Sequence, residues 1–148
     1  MMRHSKTIHL SLCVALLVVI AACRGGANNN NNTTTGTAGS VRVTDLTLGR
    51  SVGGDKAVTD RTESFKPNDT IYASVTTEGS APSATLRAKW SFEDGQTVDE
   101  TTQTIAPNSQ ARTEFHISKP NGWPAGKYKV EVFLNDMSAD SKTFVVGS

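Results

Sequence analysis

Few side chains in this chain are suited to covalent or acid–base chemistry, and none stands in a recognisable catalytic pattern. Cysteine occurs only at Cys13 and Cys23, and His116 is the one histidine after residue 9. His116 falls on the polar side of an alternating segment, with no Ser, Cys or Asp motif around it. General acid–base and nucleophilic catalysis both need a positioned partner group. We therefore expect a protein that is not an enzyme, with His116 as an exposed surface residue.

Metal-binding patterns are equally sparse. A zinc site needs several His or Cys ligands, and the region after Cys23 offers only His116. Calcium needs clustered oxygen ligands. The acids of the loop-rich stretches lack the spacing of a calcium loop; they are Asp55, Asp60, Glu63 and Asp69 in one stretch and Glu93 and Asp94 in another. We expect no metal and no cofactor.

The N-terminal segment has the layout of a secretion signal. Residues 1–6 carry two positive charges and no acid, and the mostly apolar run 10–22 follows. This run is about a dozen residues long, whereas a membrane-spanning helix needs roughly 20. The segment therefore predicts export.

The motif Ile20-Ala21-Ala22-Cys23 resembles the lipobox of bacterial lipoproteins, which is an aliphatic residue, two small residues and an obligatory Cys. The resemblance implies that residues 1–22 are a signal peptide, cut off by signal peptidase II, and that the Cys23 thiol carries a diacylglyceryl group. Two or three acyl chains, at about 0.8 kcal/mol per buried methylene, hold a protein on a bilayer almost permanently. We expect membrane lipid to be a partner through Cys23, in the cell membrane or outer membrane, with the domain facing the periplasm or the cell exterior.

Residues 23–40 are expected to form a flexible stalk. After Cys23 the chain continues as RGGANNNNNTTTGTAGS, without periodicity and without an aliphatic residue larger than Ala. Such a segment cannot bury enough apolar surface to offset the entropy cost of ordering it. As a flexible chain it spans roughly 23 Å, with a full stretch below about 60 Å. Arg24 stands where many enterobacterial lipoproteins of the inner membrane have a retaining aspartate, so the outer membrane is favoured in a diderm host.

Residues 41–148 alternate between apolar and polar side chains with a period of two, which is typical of β-strands with one buried face. No helical stripe interrupts the alternation. The pattern predicts an all-β fold, a single antiparallel sandwich of about seven strands. The expected strands are 41–48, 70–77, 84–92, 96–105, 111–118, 126–134 and 137–146.

Two turns can be predicted in more detail. A three-residue loop 93–95, with Gly95 in the left-handed conformation, sets Trp90 opposite Val98 and Lys89 opposite Asp99. A two-residue loop at 135–136 leaves Phe144 and Val146 on the wrong side of their strand. We therefore expect a bulge between residues 138 and 143 that returns them to the core.

Trp90 lies in mid-strand, 15 residues after Val75, and Tyr128 lies two residues before Val130, early in its strand. This arrangement resembles immunoglobulin-like domains, with a core Trp and a tyrosine corner. The resemblance implies that Trp90 and Tyr128 belong to the core. Val75 (or Ala73) and Val130 would occupy the places of the two disulfide cysteines. Since no cysteine follows Cys23, the domain is nearest the disulfide-free bacterial immunoglobulin-like modules.

Aromatic rings outside the expected core are the best candidates for ligand binding. Trp123 falls in a loop, and Tyr72 and Phe133 fall on outward-facing positions. Sugar-binding modules use such rings as stacking platforms. In the alternative, Trp123 folds back beside Tyr128 to cover the end of the sandwich, and the irregular segment 49–69, with room for a short edge strand, covers Phe133.

These observations leave three hypotheses for function. Without Arg3 and Lys6 the formal net charge of +1 falls to −1, and scattered basic residues argue against a nucleic-acid partner. The leading hypothesis is a non-catalytic immunoglobulin-like module, anchored in the cell envelope, that binds or spaces an envelope protein or glycan. The alternative is a carbohydrate- or peptidoglycan-binding module that uses an exposed Trp123. The third is a small hydrolase or inhibitor, which requires a cleft with converging polar groups.

Overall fold

The computed structural model describes residues 40–147. In this part of the chain eight β-strands form two sheets, and no helix is present. The strands are β1 (Arg42–Gly49), β2 (Ser64–Phe65), β3 (Ile71–Glu78), β4 (Ala84–Phe92), β5 (Thr97–Ile105), β6 (Ala111–Ile117), β7 (Gly126–Leu134) and β8 (Met137–Val146). The smaller sheet has the order β1-β3-β6 and the larger sheet the order β2-β8-β7-β4-β5. All pairs are antiparallel except β2 with β8. The fold is therefore an all-β, immunoglobulin-like sandwich.

The seven predicted strands are all present, with their ends within one residue of the prediction. The eighth, β2, is a short edge strand in the segment 49–69. The predicted signal peptide, Cys23 and nearly all of the stalk lie outside the described residues. Between residues 40 and 147 no helix is long and apolar enough to cross a membrane.

The core consists of the inward-facing residues of both sheets. Val75, Trp90, Val130 and Tyr128 are all buried in it. The Tyr128 ring stacks on the Phe144 ring with centroids 5.4 Å apart, and the Trp90 ring meets the Phe144 ring edge-on at 6.0 Å. Because burial of a large apolar side chain stabilises by about 1.5–3 kcal/mol, this cluster holds the two sheets together without a disulfide.

The turn between β4 and β5 has the predicted loop but not the predicted register. The Phe92 amide donates to the Gln96 carbonyl (2.9 Å), and Gly95 has a φ of 86°, as expected for a three-residue loop. A second irregularity follows, because the pairing shifts by one residue between Ser91↔Thr97 and Trp90↔Asp99. Trp90 thus faces Asp99, not Val98, and Lys89 faces Glu100. The bulge lets Val98 stay packed against the core.

The turn between β7 and β8 follows the prediction. Asn135 and Asp136 both have positive φ, of 49° and 65°, as a two-residue type I′ hairpin loop requires. The pairing shifts between Phe133↔Ser138 and Val132↔Asp140, which places the predicted bulge at residue 139. Phe144 and Val146 consequently return to the core.

The segment 49–69 folds back beside the end of β1, where Gly49 pairs with Arg61, before β2 joins the larger sheet. A Cβ at Gly49 would lie 2.3 Å from Val58 Cγ1, so only glycine allows this close crossing. Arg50 ties the segment together, since Nε donates to Asp69 Oδ2 (2.9 Å) and Nη2 donates to the Ser64 carbonyl (2.8 Å).

The sandwich has two ends, which we call the entry end and the far end. Ser40 enters the domain beside Gly79, next to the loop between β3 and β4, and we call this side the entry end. The loops that follow β4 and β6 lie at the opposite end, the far end, together with the loop before β3. There the Trp123 amide donates to the Pro67 carbonyl (2.7 Å).

Candidate functional site

Trp123 is not an exposed stacking platform. Its side chain is only 4% exposed and lies under the loops of the far end. Nε1 donates to the Asp69 carbonyl (3.1 Å), and the ring meets the Tyr128 ring edge-on at 5.7 Å. Of the two arrangements that the sequence left open, the ring folded back beside Tyr128 describes the structure, and the exposed ring does not. The indole is buried because its N–H finds an acceptor in a loop far away in sequence.

Tyr72 and Phe133 are half-buried on different sheets, so the three candidate rings do not form one surface. The Tyr72 ring packs against the His116 ring at 5.4 Å. The Phe133 ring lies under the Arg87 guanidinium, whose carbon is 4.0 Å from the ring centroid. The segment 49–69 does not provide this cover, because β2 pairs with the other end of β8, at Val145 and Val146.

His116 is exposed, and its Nδ1 contacts a Glu114 carboxylate oxygen on the same strand. Among the described residues its second ring nitrogen has no hydrogen-bond partner. Within residues 40–147 no group of three or more His, Cys, Asp or Glu is placed to hold a metal ion.

A cavity of about 440 Å³ lies on the outer face of the larger sheet, toward the far end. We call it the lysine groove. Its lining residues are Lys89, Ser91, Phe92, Glu93, Gly95, Lys127, Tyr128, Lys129, Glu131 and Thr143. Its volume falls in the range of about 300–1,000 Å³ that is typical of small-molecule sites.

Strand alternation positions the lysines of this groove. Along β7, Lys127 and Lys129 point outward on either side of the buried Tyr128. On the neighbouring strand β4, Lys89 points outward before the buried Trp90. The register pairs Ser91 with Lys129 across these strands.

Between the lysines, the groove is lined by the outward-facing Ser91. Ser91 is only 8% exposed and lines the cavity, and the structure gives its hydroxyl no partner among the described residues. The Phe92 and Tyr128 rings, which meet edge-on at 5.0 Å, lie on the inner face of the sheet, on the side opposite to Ser91 and the lysines. The Ser91 hydroxyl is open to the groove, because within residues 40–147 the one sealed side-chain polar atom without a partner is Trp90 Nε1.

The charges of the groove are unevenly compensated. Lys129 Nζ lies 2.9 Å from Glu131 Oε2, and Ser138 Oγ donates to Glu131 Oε1 (2.7 Å). These bonds lower the pKa of the Glu131 carboxyl, with a further contribution from the charge of Lys89. In the part of the chain that the structure describes, Lys89 and Lys127 form no ion pair within 4.0 Å.

Tyr128 stays protonated at the edge of the groove. Burial, and then the negative charge of Glu93, raise the pKa of its hydroxyl. That hydroxyl donates to the Pro124 carbonyl (2.7 Å), four residues upstream. This is the geometry of a tyrosine corner, and it fixes the loop after β6 against the far end.

Sequence reasoning missed the lysine groove. The spacing of Lys127 and Lys129 was a usable signal, since residues two apart in a strand share a face. Lys89 and Ser91 could not be added without the register of β4 on β7, which joins residues about 40 positions apart.

Comparisons with known proteins identify the fold and nothing finer. No protein-family model matches the chain. No curated protein matches it either. An immunoglobulin-like protein from Pseudomonas aeruginosa is similar at 16% identity with a TM-score of 0.50, over 76% of this chain and 100% of that one.

Two similar structures are much larger proteins. One is the Pseudomonas fluorescens alkylpurine DNA glycosylase AlkC bound to DNA containing an abasic site analog, at 16% identity and a TM-score of 0.50, over 73% of this chain. The other is a β-glucosidase from Listeria innocua in complex with glucose, at 9% identity and a TM-score of 0.51, over 74% of this chain. The match covers 30% of the first protein and 16% of the second. At these identities the likeness concerns the immunoglobulin-like sandwich alone.

Proposed function

We propose that this chain is a cell-envelope lipoprotein, anchored through acylated Cys23, whose immunoglobulin-like domain binds another envelope component without catalysing a reaction. The motif Ile20-Ala21-Ala22-Cys23 supports the anchor. The lysine groove, a cavity of about 440 Å³ with three lysines in its lining, supports a binding role, and this observation carries the proposal.

The chain enters the domain at Ser40, at the entry end, while the groove lies toward the far end. The eight residues of β1 separate the two ends by roughly 26 Å at about 3.3 Å per residue. A stalk that is expected to be flexible leaves the orientation of the domain free, so the groove is open to partners in the periplasm or at the cell exterior.

The carbohydrate-binding alternative no longer rests on Trp123, because that ring is buried. It now rests on the groove, where Ser91 and the lysines supply hydrogen-bonding groups. A catalytic site in this groove would need a nucleophile or an acid–base pair beside the reacting atom of the substrate. The groove offers lysines, a serine that forms no hydrogen bond with a base in the described residues, and a carboxylate already paired with Lys129. This set of groups is better suited to binding than to catalysis.

Replacing Cys23 tests the anchor directly. In Cys23→Ser cells, we expect the protein to shift from the membrane fraction to the soluble fraction or to persist as the uncut precursor. Mass spectrometry of the parent protein should find an acylated N-terminal cysteine. Cys13→Ser is the matched control, since it removes the other cysteine from the segment that would be discarded. A parent protein that is cut elsewhere or carries no acyl chain refutes the proposal.

A further inference from the structure

We infer that the outer edge of β5 pairs with the same edge of a second copy of this chain, so that two domains join their larger sheets across a twofold axis at Thr102. Among the described residues the larger sheet ends at β5, which pairs with β4 on one side and with no strand on the other. This interface is separate from the lysine groove and does not depend on the anchor at Cys23.

Every second residue of β5 points its main-chain amide and carbonyl away from the domain. The Thr85 amide donates to Asn135 Oδ1, and the Thr85 carbonyl accepts from the Asn135 amide, both at 2.9 Å, so both groups of Thr85 face the β7 side of β4. Facing residues of an antiparallel pair exchange either two hydrogen bonds or none. Thr104, which lies opposite Thr85, therefore turns its amide and carbonyl outward. By the same alternation Thr102 and Glu100 do so as well.

The other three sheet edges are short or covered. At β1 the Thr62 amide donates to the Leu48 carbonyl (3.2 Å), and a bulge interrupts the start of the strand. At β6 the Gln103 side chain donates from Nε2 to the Glu114 carbonyl (2.7 Å). The edge at β2 is only two residues long. These are devices by which proteins prevent pairing at sheet edges.

The edge at β5 has almost none of these devices. No Lys, Arg or Pro occurs between residues 97 and 105. Its irregularity lies at the start of the strand, before Asp99, so pairing with β4 is regular from there to Ile105. Residues 99–102 and Thr104 are all exposed. A regular, exposed edge that is rich in threonine is suited to pairing with another strand.

The edge is complementary to itself in one antiparallel register. With the axis at Thr102, that residue faces its own copy, and each Glu100 faces the Thr104 of the other chain. All three outward residues of each copy are then matched, which satisfies every outward amide and carbonyl. A register centred one residue earlier or later pairs only two of the three. The position of the axis therefore follows from the direction of the main-chain groups.

The charges of β5 agree with a second copy as the partner. Like charges that face each other across strands are destabilising, and in this register Glu100 faces Thr104 while Asp99 faces Ile105. The two Glu100 residues lie about 13 Å apart along the strands. Each one is also compensated within its own domain, since Glu100 Oε2 lies 3.3 Å from Arg87 Nη1. An unrelated strand would have to match this pattern independently, whereas a copy of β5 matches it by symmetry.

Disulfide crosslinking of the full-length chain in its own cells tests the inference. Facing residues of a hydrogen-bonded antiparallel pair have Cα atoms about 5.5 Å apart, within the range of about 4.4–6.8 Å that disulfides span. Thr102→Cys should therefore give a disulfide-linked dimer on a non-reducing gel after mild oxidation with diamide. Thr143→Cys is the matched control, because it is an exposed threonine in β8, inside the same sheet. The parent chain measures the background from Cys13 and Cys23.

We expect about tenfold more dimer from Thr102→Cys than from Thr143→Cys, because only the former residue meets its own copy at the axis. Equal amounts of dimer from the two variants, or no dimer above the parent background, overturn the inference.

Co-purification of two differently tagged full-length copies locates the interface without a crosslink. Thr102→Lys in both copies sets two ammonium groups against each other at the axis and should lower co-purification by about tenfold. Thr143→Lys adds the same charge elsewhere on the sheet and should lower it by less than about twofold. An equal loss in this control means that only net charge matters, and refutes the assigned edge.

Thr102→Pro tests the main chain itself. It removes an outward amide but no hydrogen bond to β4, a position at which an edge strand accepts proline. Co-purification should again fall by about tenfold, while Tm stays close to that of the parent. Retained co-purification in both Thr102 variants overturns the inference.

Mass spectrometry of the crosslinked product identifies the partner. A product with twice the mass of the mature chain supports a second copy, whereas a product that contains another protein overturns this assignment. Purified and concentrated Cys23→Ser protein that also carries Thr102→Cys should give the same dimer. A parent chain that carries no lipid but still pairs through β5 therefore refutes the proposed anchor alone, so the two failures are separate results.

Discussion

The two faces of strands β4 and β7 have opposite characters. On the inner face, Trp90 and Val130 are 1% and 0% exposed and lie at the centre of the core. On the outer face, one residue away, Lys89 and Lys129 line an open groove. Consecutive residues therefore serve stability and binding separately, because the strand period of two sends them to opposite sides of the sheet. It follows that each face can be damaged without the other.

The largest expected effect comes from the inner face. Trp90→Ala should lower the free energy of unfolding by about 3–5 kcal/mol, because it leaves a cavity that the sheets cannot close. A domain of this kind has only about 5–15 kcal/mol in total, so urea denaturation should show a much earlier midpoint. Trp90→Phe should cost less, since it keeps a ring and removes an indole N–H that has no partner in the described residues. A loss below 1 kcal/mol for Trp90→Ala would contradict the assignment of this residue to the core.

Tyr128→Phe should have an intermediate effect. It removes the hydroxyl that donates to the Pro124 carbonyl (2.7 Å) but keeps the ring stacked on Phe144. Loss of a buried hydrogen bond costs about 1–3 kcal/mol, and thermal unfolding should report a lower Tm. Because burial raises the pKa of this hydroxyl, the difference between parent and variant should persist through mildly alkaline pH. An unchanged Tm would mean that the corner contributes nothing to stability.

Glu131→Gln tests the outer face, and its expected effect on the free energy of unfolding is smaller. The ion pair with Lys129 is partly exposed, so its loss should cost at most about 1 kcal/mol at neutral pH. The bonds from Lys129 and Ser138 lower the pKa of Glu131 in the folded state. Its contribution is therefore present above the unfolded pKa and is lost as the pH falls through the lowered folded value.

Denaturation at neutral and at acidic pH checks this sign. The parent should lose more stability on acidification than Glu131→Gln does. The lowered pKa of Asp69, held down by the Lys66 amide and then by Arg50, adds an acid-dependent loss that both proteins share. A larger loss in the variant than in the parent would reverse the predicted sign.

The smallest effect on stability is expected for Lys89→Met combined with Lys127→Met. Surface substitutions of this kind usually change the free energy of unfolding by no more than about 0.5 kcal/mol, and urea denaturation should show an almost unchanged midpoint. This pair gives the sharpest contrast with Trp90. A destabilisation above 2 kcal/mol would show that the lysines support the fold, and the two faces would no longer be separable.

Local patterns in the sequence predicted much of this domain. The strand positions, the inward side of each strand, the left-handed Gly95 and the bulge in β8 all follow from alternation and turn chemistry over a few residues. The bulge at Val98 did not follow. It depends on how β5 packs at the edge of the larger sheet. There Val98 keeps contact with the core, and Trp90 consequently faces Asp99.

Alternation and turn chemistry by themselves determined an all-β sandwich with Trp90 and Tyr128 inside it, because a period of two is a local property of the chain. Only the tertiary structure decided the fate of Trp123 and the existence of the lysine groove. The acceptor of the Trp123 indole is the Asp69 carbonyl, 54 residues upstream, and Ser91 meets Lys129 only across the β4–β7 pair. Both outcomes depend on contacts between distant segments, which no short stretch of residues specifies.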